Sequence, residues 1–115
     1  MQRDAFGMKY AVIAMAVGLL SAFSVQAAGD PEAGQEKSAV CSACHGVDGN
    51  SPVPMMYPSL AGQSVDDLQH ALFAYREGSR QGGMAALMTP MAQDLTDEDI
   101  ADLAAFFSQQ TRSAD

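Results

Sequence analysis

The five residues CSACH, at positions 41–45, constrain this 115-residue chain more than any other part of its sequence. They contain both cysteines of the chain, Cys41 and Cys44, and one of its two histidines, His45. A disulfide between two cysteines this close would close a very short loop and would stabilise a fold only weakly. The motif is therefore better explained by a bound metal or by a covalently attached group.

Three kinds of site use cysteines at this spacing, and the flanking sequence separates them. A structural zinc site needs four ligands, usually from two separated pairs, and only one distant histidine, His70, remains. A thioredoxin-like redox pair occurs near a βαβ pattern, which this sequence lacks. Cys-x-x-Cys-His is the attachment spacing of haem c. It predicts thioethers from Cys41 and Cys44 to one covalent haem, with His45 as a ligand of the iron.

Capping patterns predict three helices and no strands. The first begins at Asp30, which is followed by a proline, and runs toward Cys41. The second begins at Ser64 and ends at Gly78, because an apolar stripe recurs at helical spacing between them. The third begins at Thr96, with an acidic residue three positions later. No run of β-branched residues alternates with polar ones, so the chain is expected to be all-α.

Two long segments without helical periodicity, residues 46–63 and 79–95, separate these helices. Loops of this length are uncommon in a small domain unless they wrap around something. The second segment carries Met84, Met88 and Met91, any of which could reach the iron on the face opposite His45. Pro90 predicts that the segment is extended there, with Met91 packed as core. The residues alone leave the choice of methionine open.

The first 27 residues have the pattern of a secretory signal peptide. Arg3 and Lys9 precede an uncharged apolar run at residues 10–23, and small residues lead to a cleavage site after Ala27. The apolar run is shorter than the roughly 20 residues that a membrane-spanning helix needs. We therefore expect a signal peptide at residues 1–27, a mature domain at residues 28–115 that does not span a membrane, and a periplasmic location.

The chain is strongly acidic, with 14 acidic and 6 basic side chains and a formal net charge of −8. This charge argues against nucleic acid as a partner, since phosphates attract basic proteins. It predicts a protein partner with a basic docking surface. Part of the acidity has a simpler explanation, because several acids lie at predicted helix starts, where the helix dipole favours them.

Several motifs along the chain carry a resemblance to a known family. They are GDPEAGQEKSAVCSACHGVDGNSP, YPSLAGQ, YREGSR and MTPMAQDLTDEDIADLAAFFS, and they extend from Gly29 to about Gln110. With these motifs the chain resembles the small class I cytochromes c. It is similar in particular to either half of the dihaem periplasmic cytochromes c of bacteria. Only one haem motif is present, so a single monohaem domain is expected.

The resemblance implies a fold and assigns roles to individual residues. The fold is a class I cytochrome c fold of about three to five helices around one haem. Met88 is similar in position to the second axial ligand of the iron. Pro58 corresponds to the proline whose carbonyl accepts the other ring N–H of His45. Gly34 corresponds to the point where the first and last helices cross, with Phe106 against it.

The resemblance also implies a function, which is transfer of single electrons rather than catalysis. The expected role is a carrier between respiratory complexes or dehydrogenases and a terminal oxidase or reductase. Two alternatives remain. The chain could be a haem subunit permanently bound to a larger redox enzyme, or an open-site haem enzyme or gas sensor. The position of Met88 in its motif disfavours the open-site alternative.

Overall fold

The computed structural model describes residues 28–113, and the predicted signal peptide at residues 1–27 lies outside the described residues. Within the described range the chain forms helices and turns without any strand, which confirms the all-α class. None of its helices has both the length and the apolar character needed to cross a bilayer. The helices are α1 (Pro31–Lys37), α2 (Ala39–His45), α3 (Val65–Glu77), α4 (Ala85–Gln93) and α5 (Asp97–Ser108).

The predicted starts of α1, α3 and α5 are confirmed by their capping bonds. The side chains of Asp30 and Ser64 each accept a backbone N–H from the first turn of their helix, at 3.0 Å. Thr96 and Asp99 exchange two such bonds, each 3.0 Å long, in a complete capping box. Gly78 ends α3 in the left-handed conformation that glycine adopts without steric cost.

The first predicted helix is interrupted, which the sequence reasoning missed. α1 ends at Lys37, and α2, which carries CSACH, begins at Ala39. Between them lies Ser38, whose hydroxyl donates to the carbonyl of Gln35 at 2.7 Å. A serine that bonds to a nearby carbonyl competes with regular helical bonding, and this explains the break.

The extended conformation predicted around Pro90 is wrong, because α4 runs through that residue. A proline inside a helix removes one backbone hydrogen bond, the one that its N–H would donate to the carbonyl of Ala86. Ala86 is exposed, so water can bind the carbonyl that Pro90 leaves without a donor. The helix therefore tolerates the proline at low cost. Met91 is also exposed rather than packed as core.

The core is formed where α5 meets α3 and α1. Its buried apolar cluster consists of Leu68 from α3 and of Leu103, Ala104, Phe106 and Phe107 from α5. Helix α4 packs against α3, away from α1. This arrangement leaves α2 and its CSACH motif beside the cluster.

Gly34 lies where α1 crosses α5, as the resemblance implied. A Cβ atom on Gly34 would lie 2.0 Å from the carbonyl oxygen of Asp102 and 2.8 Å from the Cβ of Phe106. The two backbones can approach this closely only because glycine has no side chain.

A buried carboxylate, Asp102, lies in the middle of α5 and bonds to both ends of α1. It is 3% exposed, and it accepts from the Nζ of Lys37 at 2.6 Å and from the backbone N–H of Asp30 at 2.8 Å. The hydrogen bond from Lys37 holds the pKa of Asp102 below its usual value, and the bond from Asp30 adds to this shift. Lys37 also contacts Asp99 at 2.9 Å. The sequence placed acids at helix starts, but nothing in it indicated this interior carboxylate.

Candidate haem-binding site

Helix α2 presents the two thiols of the CSACH motif. Cys41 and Cys44 are half-buried free cysteines one helical turn apart, so both lie on one side of the helix. Cys41 packs against the core cluster, as do the partly buried Leu60, Leu72 and Leu95. This burial raises the pKa of the Cys41 thiol. The surroundings of Cys41 are apolar, which suits the packing of an apolar macrocycle.

His45 is the last residue of α2, and its ring is fixed by one hydrogen bond. It is 7% exposed, and its Nδ1 lies 2.7 Å from the carbonyl oxygen of Pro58. A carbonyl can only accept, so Nδ1 carries the proton and donates it to this bond. The neutral ring then keeps Nε2 as a lone-pair donor, which is the form that binds a metal.

The turn that carries Pro58 is held next to the CSACH helix by backbone bonds. The N–H groups of Leu60 and Ala61 both donate to the carbonyl of Gly49, at 2.7 and 3.1 Å. Gly49 has a φ of +83°, and a Cβ there would lie 2.8 Å from both the backbone nitrogen of Ala61 and a ring carbon of Phe107. Only glycine fits this position. Gly49 thereby allows the Pro58 turn to pack closely against the core.

Met84 directly precedes α4, Met88 and Met91 lie within it, and the exposure of the three candidate methionines differs. Met84 is 38% exposed and Met91 is 48% exposed, whereas Met88 is half-buried and lies between them on the same helical face. Met88 is thus the most protected of the three. The structure brings His45 and Pro58 into direct contact, and it places Met88 on a separate helix that packs against α3.

The remaining histidine, at position 70, and two arginines, at positions 76 and 80, lie on α3 or just after it. His70 is exposed on α3. Arg76 bonds to Asp97 at 2.7 Å and lies over the ring of Phe73, so it ties α3 to the start of α5. Arg80 lies over the ring of Tyr75, with 4.9 Å between the guanidinium carbon and the ring centroid.

Sequence reasoning missed two residues near the site, Asn50 and Arg112. Asn50 donates to the carbonyl of Thr111 at 3.0 Å and accepts from the backbone N–H of Ser113 at 2.8 Å. Arg112 donates to two carbonyls of the Pro58 turn. A polar residue in a loop and a single arginine after the last helix have no pattern that would indicate these contacts.

The site geometry and the fold agree with a comparison against known protein families. The family described as cytochrome c matches residues 31–111. The chain belongs to the cytochrome c family. Within this family CSACH is the attachment motif, so the chain carries one covalently bound haem c.

Individual cytochromes c share much of the sequence. The chain is 58% identical over 83 residues to cytochrome c-554(548) of Halomonas halodenitrificans, a match that covers 72% of this chain and 99% of that protein. It is 50% identical over 93 residues to cytochrome c4 of Stutzerimonas stutzeri, covering 76% of this chain and 44% of that one. The chain thus spans less than half the length of this cytochrome c4.

A solved cytochrome shows the same fold. The crystal structure of reduced recombinant cytochrome c4 from Pseudomonas stutzeri matches with a TM-score of 0.65 and 49% sequence identity. The match covers 75% of this chain and 48% of that chain. The expected cytochrome c fold and the resemblance to one part of a larger cytochrome are therefore confirmed. The chain is a monohaem electron carrier of this family rather than an enzyme.

Proposed function

We propose that this cytochrome is a periplasmic carrier of single electrons between respiratory complexes or dehydrogenases and a terminal oxidase or reductase. In this proposal Cys41 and Cys44 hold the haem, and His45 and Met88 are the axial ligands of its iron. The observation that supports it best is the 2.7 Å hydrogen bond from His45 to Pro58, which leaves Nε2 of a fixed ring as the ligand atom.

The chemistry of these ligands suits electron transfer. The haem iron, when bound, accepts and releases one electron, and histidine–methionine ligation gives it a high reduction potential. Two protein ligands leave the iron without an open position for a substrate. The bond to Pro58 fixes the orientation of the His45 ring, and a fixed ligand would reduce the rearrangement that accompanies each transfer.

The proposed location and attachment are tested together on protein isolated from a periplasmic fraction. We expect an amino terminus at Ala28 and an intact mass equal to residues 28–115 plus one haem. The colour should remain with the polypeptide after extraction with acidic acetone, because thioethers are covalent. A chain that starts at Met1, or that is found only in the cytoplasmic fraction, would contradict the periplasmic role. Haem that extracts freely would contradict attachment through Cys41 and Cys44.

The partner is proposed to present a basic surface. Thirteen of the acidic side chains lie in residues 28–115, against four basic ones. Of those basic side chains, Lys37 and Arg76 are already paired with acids of α5. Acids at the start of α3, Asp66 and Asp67, are exposed. The described surface is therefore predominantly negative.

This charge predicts a salt dependence that differs with the charge of the electron acceptor. Oxidation of the reduced protein by the cation tris(phenanthroline)cobalt(III) should slow roughly three- to tenfold as salt rises from about 0.01 M to 0.15 M, because screening shortens the range of attraction. Oxidation by the anion ferricyanide should accelerate over the same range. Stopped-flow absorbance measures both rates. If neither rate changes with salt concentration, the acids only stabilise helix starts and do not attract a partner.

A further inference from the structure

The exposed residue Arg112 contacts the turn that carries Pro58. Its Nε donates to the carbonyl of Ala61 at 3.0 Å, and its Nη2 donates to the carbonyl of Ser59 at 3.1 Å. The guanidinium thus binds two carbonyls of one turn, and one of them belongs to Ser59, the residue directly after Pro58. Hydrogen bonds from a charged donor are stronger than those from a neutral one.

Arg112 is itself held in place by the residues around it. On either side, Thr111 and Ser113 are bonded through their backbones to the side chain of Asn50. At the base of the same segment, the backbone N–H of Gly62 donates to the carbonyl of Phe107 at 3.0 Å. The segment after α5 is therefore anchored to the loop at residues 46–63, and the arginine bridges the two.

The Ser59 peptide is fixed from several directions at once. Its carbonyl also accepts from the Nε2 of Gln63 at 2.8 Å, and its hydroxyl accepts from the backbone N–H of Ser51 at 3.0 Å. The carbonyl of Pro58 belongs to the peptide unit immediately before, so its direction depends on this network. That carbonyl is the acceptor for His45.

We propose that Arg112 is a positioning residue that sets the reduction potential, by fixing the Pro58 carbonyl and so the hydrogen bond from His45 Nδ1. The inference rests on the proposed role of His45 as an axial ligand. A stronger bond at Nδ1 gives the ring more imidazolate character and makes Nε2 a better donor to the iron. A better donor favours the oxidised iron, so weakening the bond raises the potential.

The test uses substitutions that keep the charge. Arg112→Lys retains the positive charge but lacks the planar fork that reaches two carbonyls. Arg80→Lys makes the same chemical change at an arginine that stacks on Tyr75. We expect Arg112→Lys to raise the potential by about 30 mV, a threefold change in the reduction equilibrium at about 59 mV per tenfold for one electron. We expect Arg80→Lys to leave it unchanged.

A second measurement follows the hydrogen bond itself. In the reduced protein, the His45 Nδ1 proton should exchange with solvent several-fold faster in Arg112→Ala than in the wild type or in Arg80→Ala. A purely structural role for Arg112 would lower the melting temperature without changing the potential or this exchange rate. That result would overturn the inference.

The wild-type spectrum distinguishes failure of the Arg112 inference from failure of the proposed function. If the oxidised wild type shows the sulfur–iron band and Arg112→Lys matches Arg80→Lys in potential, the inference about Arg112 is wrong and the proposed function is unaffected. If the iron of the wild type lacks a histidine ligand, the proposed ligand set and this inference both fail.

Discussion

Met88→Ala is expected to abolish the weak sulfur–iron absorption band of the oxidised protein near the edge of the infrared. The substitution removes the thioether that we propose as the second axial ligand, so the reduction potential should fall. The reduced iron should also bind carbon monoxide, because its sixth position is then open. Absorption spectroscopy of both oxidation states and a redox titration measure these three effects.

Met84, directly before α4, and Met91, within it, provide matched controls. Both are substantially exposed, at 38% and 48%, whereas Met88 is half-buried. Met84→Ala and Met91→Ala should therefore keep the band and change the free energy of unfolding by only about 0.5 kcal/mol, as surface substitutions do. This free-energy cost is smaller than the cost of truncating a core side chain, which is what the sequence predicted for Met91.

Two results would contradict the assignment of Met88 in different ways. If Met91→Ala abolishes the band while Met88→Ala preserves it, the ligand is Met91. If the wild type itself binds carbon monoxide and none of the three substitutions changes its spectrum, the protein is an open-site haem protein instead of a carrier.

Gly34→Ala is expected to destabilise the fold by about 3 kcal/mol, at the upper end of what overpacking usually costs. The added Cβ would lie 2.0 Å from the carbonyl oxygen of Asp102 and 2.6 Å from its carbonyl carbon. Both are backbone atoms of α5, so α1 and α5 must separate to admit a methyl group. That separation also strains the hydrogen bonds from Lys37 and Asp30 to the Asp102 side chain.

Whether Gly34→Ala lowers or raises the stability shows whether α1 and α5 meet closely at this position. Alanine is a better helix former than glycine by about 1 kcal/mol, so Gly34→Ala would stabilise α1 if the helices did not meet closely there. Gln35→Ala, at the next position of α1 and exposed, should change the stability by only about 0.5 kcal/mol. Urea unfolding of the haem-loaded protein gives both values. A stabilised Gly34→Ala variant would show that the crossing is loose.

Features that depend on neighbours in the sequence were predictable from the sequence alone. Asp30, Ser64 and Thr96 cap their helices with backbone groups two or three residues away, and Gly78 adopts a conformation that suits glycine by itself. The CSACH motif is equally local, because one helical turn places its thiols and its imidazole together. The family resemblance then added three positions that spacing could not supply, at Gly34, Pro58 and Met88.

Other features arise from contacts between distant parts of the chain, and only the tertiary structure revealed them. Pro90 remains helical because α4 is packed against α3 and Ala86, whose carbonyl loses its donor, is an exposed residue. These two conditions outweigh the local preference for an extended chain. Asp102 is buried in α5 because Lys37 of α1 and the backbone before α1 satisfy its charge. Arg112 reaches the Pro58 turn across more than fifty residues of sequence. Local propensity carries no information about such partners, since their energies depend on which surfaces the completed fold brings together.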